Sequence, residues 1–124
     1  AVLGLAFKPG TDDLREAPSI DNISLLLKNG ADIVAYDPVA MNNFKKKFPE
    51  GVVERGTISY TNQIEEALKD ANICFIFTEW KEIKKVEPEA IKQLMRTPLV
   101  YDGRNIFDPE KMKAAGVEYY SIGR

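Results

Sequence analysis

Short apolar segments of strand character alternate with segments of helical spacing about six times along this chain, and that alternation leaves few folds open. Residues 1–7, 32–36, 57–60, 73–77, 99–102 and 117–122 read as strands. Ile20, Ile23, Leu26 and Leu27 recur at helical spacing over 19–28. Residues 39–48, 62–70, 81–85 and 88–95 read as helices too, as does the stretch that Asp108-Pro109 opens and Gly116 ends. The connections are short, and 49–56 reads as a loop. Strand and helix in alternation imply a parallel sheet with right-handed crossovers and helices on both faces. Segment 73–77 is almost wholly apolar, which suits a central strand covered on both sides. The expectation is one domain, 1–124, with a three-layer, Rossmann-like α/β fold: an open sheet of about six parallel strands.

Composition narrows the partners. The 124 residues suit a single domain, and 44% hydrophobic residues can bury one core. A net charge of −2 is not the basic footprint of a nucleic-acid binder. No apolar run approaches the roughly 18 residues that a membrane span needs. Histidine is absent, which excludes His-based acid–base and metal chemistry. The lone Cys74 cannot build a disulfide framework, so a reducing, cytoplasmic compartment is expected. It lies in an apolar run and reads as inert core, since a reactive thiol needs an electropositive, accessible setting. Ala1 stands inside an apolar segment with no Met before it, so the chain reads as a piece of a longer protein.

The chemistry concentrates in 4–19. This stretch begins as a small, apolar strand end and becomes a polar turn carrying Lys8, Asp12, Asp13 and Arg15. Pro18-Ser19 then read as a helix opening, with Pro losing no N–H and Ser19 able to cap. A strand, a charged loop and a helix start are the parts of a phosphate site. They are also the parts of an ordinary turn with solvated charges, and pattern alone leaves both readings open. In open parallel sheets, ligands sit beyond the carboxyl ends of strands near the switch in strand order. With the order 3-2-1-4-5-6, the strand ends at Lys8, at Thr78-Glu79-Trp80 and at Asp102-Gly103-Arg104 share one edge. Lys8 as a point charge and Arg104 as a fork then suit one phosphate or pyrophosphate. Gly103 lets the backbone approach closely.

Other patterns read as structure. The first turn offers Gly4 and Gly10 but no G-x-G-x-x-G, so Asp37 reads as a turn residue before Pro38 and not as a ribose-binding acid. The Walker pattern is missing as well. Asp12, Asp13 and Glu16 read as a solvated loop paired with Arg15 and not as a metal site. Lys45, Lys46 and Lys47 read as a wet helix end, and Trp80 as a packing residue.

Taken together, the stretch from Gly4 to Ser19 (GLAFKPGTDDLREAPS) resembles the signature opening the C-terminal, UDP-binding domain of the nucleotide-sugar dehydrogenases, the UDP-glucose/GDP-mannose dehydrogenase family. Ala35-Tyr36-Asp37-Pro38, Thr78-Glu79-Trp80, Tyr101-Asp102-Gly103-Arg104-Asn105 and Tyr120-Ser121-Ile122-Gly123-Arg124 follow in the family's order. The resemblance covers essentially the whole chain. It implies a parent enzyme that oxidises a sugar C6 alcohol to a carboxylate in two NAD-dependent steps. It implies that an N-terminal domain holds NAD and a catalytic Cys, with a long central helix between the domains. By the same resemblance Phe7 packs against or contacts the nucleotide sugar, Lys8 binds it and Arg104 contacts it from the fifth strand. Arg15 then reaches toward NAD across the domain cleft. Cys74 does not correspond to the catalytic Cys, and this piece carries neither that motif nor the NAD fingerprint. It is expected to bind nucleotide and not to turn over alone. The expected partners are UDP or UDP-glucose, the N-terminal and central domains of the same chain, and further copies of it as a homodimer or higher. Phe7-Lys8-Pro9 and Glu16-Ala17-Pro18-Ser19 favour UDP-glucose over UDP-N-acetylmannosamine or GDP-mannose. A stand-alone nucleotide-binding or regulatory module is the alternative.

Overall fold

Every expected strand is present in the computed structural model, which describes residues 1–122; Gly123 and Arg124 of the closing motif lie outside the described residues. The strands are β1 (Val2–Leu3), β2 (Asp32–Tyr36), β3 (Gly51–Val53), β4 (Gly56–Tyr60), β5 (Cys74–Ile76), β6 (Leu99–Asp102) and β7 (Glu118–Ser121). The helices are α1 (Pro18–Lys28), α2 (Met41–Lys47), α3 (Ile64–Leu68), α4 (Lys81–Lys84), α5 (Pro88–Leu94) and α6 (Pro109–Ala114). They form one sheet in the order β3-β4-β2-β1-β5-β6-β7. Its pairs are parallel except β3 with β4. The strands expected from the sequence are β1, β2, β4, β5, β6 and β7, and they stand in the expected order. Chain direction reverses across β1: the path runs outward through β2 to β4, then returns to β5 and runs the other way. Right-handed crossovers therefore put α1 and α2 on one face and α3 to α6 on the other.

Three local expectations are corrected. The loop expected over 49–56 contains β3, a hairpin strand with Gly51 opposite Ile58 and Glu54 at φ 57 in the turn. Its middle residue, Val52, is 79% exposed, so the strand lacks the apolar alternation that marks a buried one. The first strand stops at Leu3 and does not reach Phe7. Gly4 turns the chain at φ 91, and a Cβ there would sit 2.6 Å from the Thr78 backbone nitrogen. Ser19 does not cap α1. Ala17 holds the N-cap position with no side-chain cap, and the buried Ser19 Oγ donates instead to the Leu5 carbonyl at 2.7 Å.

The core sits on both sides of the central strands. Ile23 and Leu27 of α1, Phe44 of α2, Leu68 of α3, Ile83 of α4, Ile91 of α5 and Met112 of α6 bury against Val2, Leu3, Ile58, Ile76 and Val100. Each such side chain contributes about 1.5–3 kcal/mol by leaving water. Cys74 belongs to this core. Burial above all pushes its thiol up to about 12; Asp102 adds to the rise and the N-terminal amine opposes it. On the α1 face, Phe75, Tyr101 and Tyr120 stand in register across β5, β6 and β7. Their rings stack at 5.6 and 5.2 Å between centroids.

Candidate functional site

The carboxyl ends of β1, β5 and β6 make one edge of the sheet, and two buried aspartates shape its loops. Asp37, at the end of β2, is fully buried. Its Oδ2 accepts the N–H groups of Leu5 and Ala6 at 2.7 and 3.0 Å and the Trp80 indole N–H at 3.0 Å. Its Oδ1 accepts the N–H groups of Val39 and Ala40 at 2.9 and 2.7 Å. This is the turn role expected of Asp37, extended to three strand exits. Trp80 is buried and packed, as expected. Asp102 does the same work after β6. Its Oδ1 accepts the Arg104 N–H at 3.0 Å. Its Oδ2 accepts from the Ile106 and Phe107 N–H groups and from the Tyr119 hydroxyl at 2.6 Å.

The β5 exit ties its two neighbours together. The buried Thr78 hydroxyl donates to the Ala6 carbonyl at 2.6 Å, which anchors the chain just before Phe7 and Lys8. The next residue, Glu79, accepts from Arg104 Nη2 through Oε2 at 2.7 Å. The Glu79 carboxyl lies below the usual carboxylate value. Burial pulls the other way, and the hydrogen bond and charge of Arg104, with help from the Glu79 backbone N–H and Lys84, outweigh it. Sequence reasoning places Thr78-Glu79-Trp80 at a strand end on the shared edge and within the family's motifs, but gives Glu79 no role. That place was the one available signal.

The predicted site residues are distributed over this edge. Phe7 is 40% exposed on the loop after β1, and Lys8 is exposed beside it. Arg104 lines a hollow of about 350 Å³ formed by Phe75, Phe77, Tyr101, Tyr120, Ile122 and Pro18. Arg15 borders a separate, wider hollow of about 940 Å³ between its own loop and α2, with Asp12, Glu16, Asn43, Lys46 and Lys47. Neither hollow is lined by Phe7 or Lys8, so the structure brings Lys8 and Arg104 to one edge without enclosing them in one pocket. The Arg15 side chain is 89% exposed and pairs with Asp13 at 2.8 Å. The hydrogen bonds from Arg15, first from its side chain and then from its backbone, hold the Asp13 carboxyl down at about 2. An ammonium offers an anion a point charge and a guanidinium a fork, which is the chemistry Lys8 and Arg104 bring to this edge.

Comparison with known proteins gives consistent matches. The profile described as "UDP-glucose/GDP-mannose dehydrogenase family, UDP binding domain" matches residues 1–109. UDP-glucose 6-dehydrogenase YwqF of Bacillus subtilis (strain 168) is 47% identical over 124 residues, covering 100% of this chain and 27% of that protein. The UDP-glucose 6-dehydrogenase of Pseudomonas aeruginosa is 41% identical over 124 residues, with the same coverage of 100% and 27%. Among solved structures, a UDP-glucose dehydrogenase from Pyrobaculum islandicum aligns with a TM-score of 0.74 at 29% identity, covering 96% of this chain and 24% of that one. The NDP-N-acetyl-D-galactosaminuronic acid dehydrogenase of Methanosarcina mazei Go1 aligns with a TM-score of 0.79 at 26% identity, covering 100% and 24%. The chain thus spans about a quarter of the length of the relatives it matches.

Proposed function

This chain belongs to the UDP-glucose/GDP-mannose dehydrogenase family as its UDP binding domain, and from that membership we propose that it holds the UDP end of UDP-glucose for a longer, NAD-dependent enzyme that forms UDP-glucuronate. The observation that carries the reading is the β5 exit: Thr78 holds the loop that bears Phe7 and Lys8, and Glu79 holds Arg104. Lys8 and Arg104 meet the diphosphate, one as a point charge and the other as a fork. Phe7 supplies an apolar wall from the same loop. UDP fixed at this edge leaves the glucose to project away from the sheet toward the remainder of the parent protein, where NAD is bound and the oxidation occurs. Arg15 projects from its loop toward that cofactor. The identities of the relatives favour UDP-glucose over other nucleotide sugars. The parent works as a homo-oligomer in the cytoplasm, where a buried thiol such as Cys74 stays reduced.

Calorimetric titration of the chain with UDP, GDP and NAD side by side tests this. UDP is expected to bind saturably, GDP more weakly and NAD without measurable heat. GDP or NAD binding as tightly as UDP overturns the reading.

A further inference from the structure

We infer that Glu79 is a positioning residue for Arg104, setting the guanidinium at the sheet edge so that its remaining N–H groups are aimed at the diphosphate. This rests on the UDP reading above. The Arg104 main chain is fixed without Glu79, because its N–H is held by Asp102 at 3.0 Å and the preceding Gly103 N–H is held by the Ile76 carbonyl at 3.0 Å. What remains free is a long side chain with large rotamer entropy. Glu79 removes that freedom through one bond, Nη2 to Oε2 at 2.7 Å. Arg carries five donors, so most of them stay available for phosphate oxygens.

Glu79 is built to be rigid. Its neighbour Thr78 is anchored to Ala6, and its other neighbour Trp80 is anchored to Asp37. Its second oxygen, Oε1, is closed off from solvent and has no hydrogen-bond partner among the described residues. With one oxygen shut away from water and its donors coming from its own backbone N–H and from Arg104, this carboxylate is not arranged for its own solvation. It depends on Arg104, and the two side chains are only 28% and 35% exposed. An exposed ion pair that merely decorates a surface leaves both oxygens in water.

The test compares UDP binding by calorimetry in the chain and in E79A, E79Q, E79D, R104A and E79A/R104A, with a thermal melt of each. E79A is expected to weaken UDP about tenfold, as for loss of a charge-assisted hydrogen bond that orders the binding group. E79Q, whose amide oxygen still accepts from Nη2, is expected to stay within about threefold of the parent chain. In the R104A background, removing Glu79 is expected to change nothing further. If E79A does not fold, E79D carries the test, because it keeps the charge and withdraws the oxygen by one methylene; it is expected to weaken UDP as E79A does. R104A weakening UDP while E79A and E79D bind it unchanged or more tightly overturns the inference and leaves the UDP reading standing. So does an E79A loss that persists without Arg104. UDP affinity unchanged in R104A removes Arg104 from the site and overturns the inference with it, whereas GDP or NAD binding the parent chain as tightly as UDP overturns the UDP reading.

Discussion

The Trp80 indole N–H donates to the Asp37 carboxylate at 3.0 Å, joining residues 43 apart in sequence. The same carboxylate accepts four backbone N–H groups. One buried side chain thereby fixes the exits of β1, β2 and β5, the platform on which Lys8 and Glu79 stand. Replacing it removes every acceptor at once. D37A is expected to cost about 3–5 kcal/mol, because four backbone N–H groups and the Trp80 indole lose their acceptor together. D37N, which keeps one acceptor oxygen, is expected to cost about 1–3 kcal/mol. Urea unfolding followed by Trp80 fluorescence measures both, and a D37A loss under about 1 kcal/mol contradicts this account of the platform.

Arg104 and Lys8 are expected to contribute to UDP affinity unequally. R104A is expected to weaken UDP by about 1.5–3 kcal/mol, since a fork makes more than one charge-assisted bond. K8A is expected to weaken it less, because an exposed ammonium acts as a point charge in water. Raised salt is expected to erode the Lys8 contribution more than that of the partly shielded Arg104. Calorimetry at two ionic strengths checks the order, and unchanged UDP affinity in both variants removes these residues from the site.

Arg15 has one role within this chain and another across domains. Its pair with Asp13 is exposed, so R15A is expected to leave the melting temperature and UDP affinity unchanged within error. The folded Asp13 carboxyl lies below its ordinary 3.8, so the pair favours the fold above that value and loses its effect as pH falls through about 2. Carbon-detected NMR titration is expected to show the Asp13 carboxyl below its ordinary value in the chain and closer to it in R15A, by a small margin because the pair is open to solvent. In the longer parent, R15A is expected to raise the KM for NAD with little change in kcat, the pattern of lost uniform binding. Normal NAD kinetics there leave Arg15 with its local role alone.

Cys74 is expected to be silent toward thiol reagents while the chain is folded. Its thiol is pushed up to about 12 by burial, so almost no thiolate forms at mildly alkaline pH. A chromogenic disulfide reagent is expected to label nothing in the native chain and the single thiol in urea. Prompt labelling of the folded protein contradicts the placement of Cys74 in the core.

Much of the architecture was legible because it rests on period and order. Segments such as 32–36 and 99–102 are apolar, short and followed by turn residues, and both match β2 and β6 to the residue. Asp37 before Pro38 was readable as a turn residue for the same reason. What escaped the sequence depends on tertiary placement. Ser19 has the residue type of a cap, but its neighbour in space is the Leu5 carbonyl, and that bond satisfies its hydroxyl inside the core. β3 is three residues on an edge, with too little apolar alternation to register. Glu79 gains its meaning only when β5 and β6 lie side by side, 25 positions separating it from Arg104. Lys8 and Arg104 were legible as a shared edge, but not that Arg104 lines a hollow from which Lys8 is absent, which loop packing decides.

The central strand has only two residues, and its neighbours are made at very different times. Val2 pairs with Ala35 on one side and with Phe75 on the other. At about 5–20 residues per second, a ribosome needs roughly 4–15 s to move from the first of these residues to the last. During that interval β1, β2 and β4 can assemble as a half-sheet whose β1 side is an open, apolar edge. That edge is buried in the finished molecule, so its hazard belongs to the nascent chain alone. A two-residue strand offers a stranger very little to pair with, and the turn at Gly4 ends the template before it is long enough to recruit one.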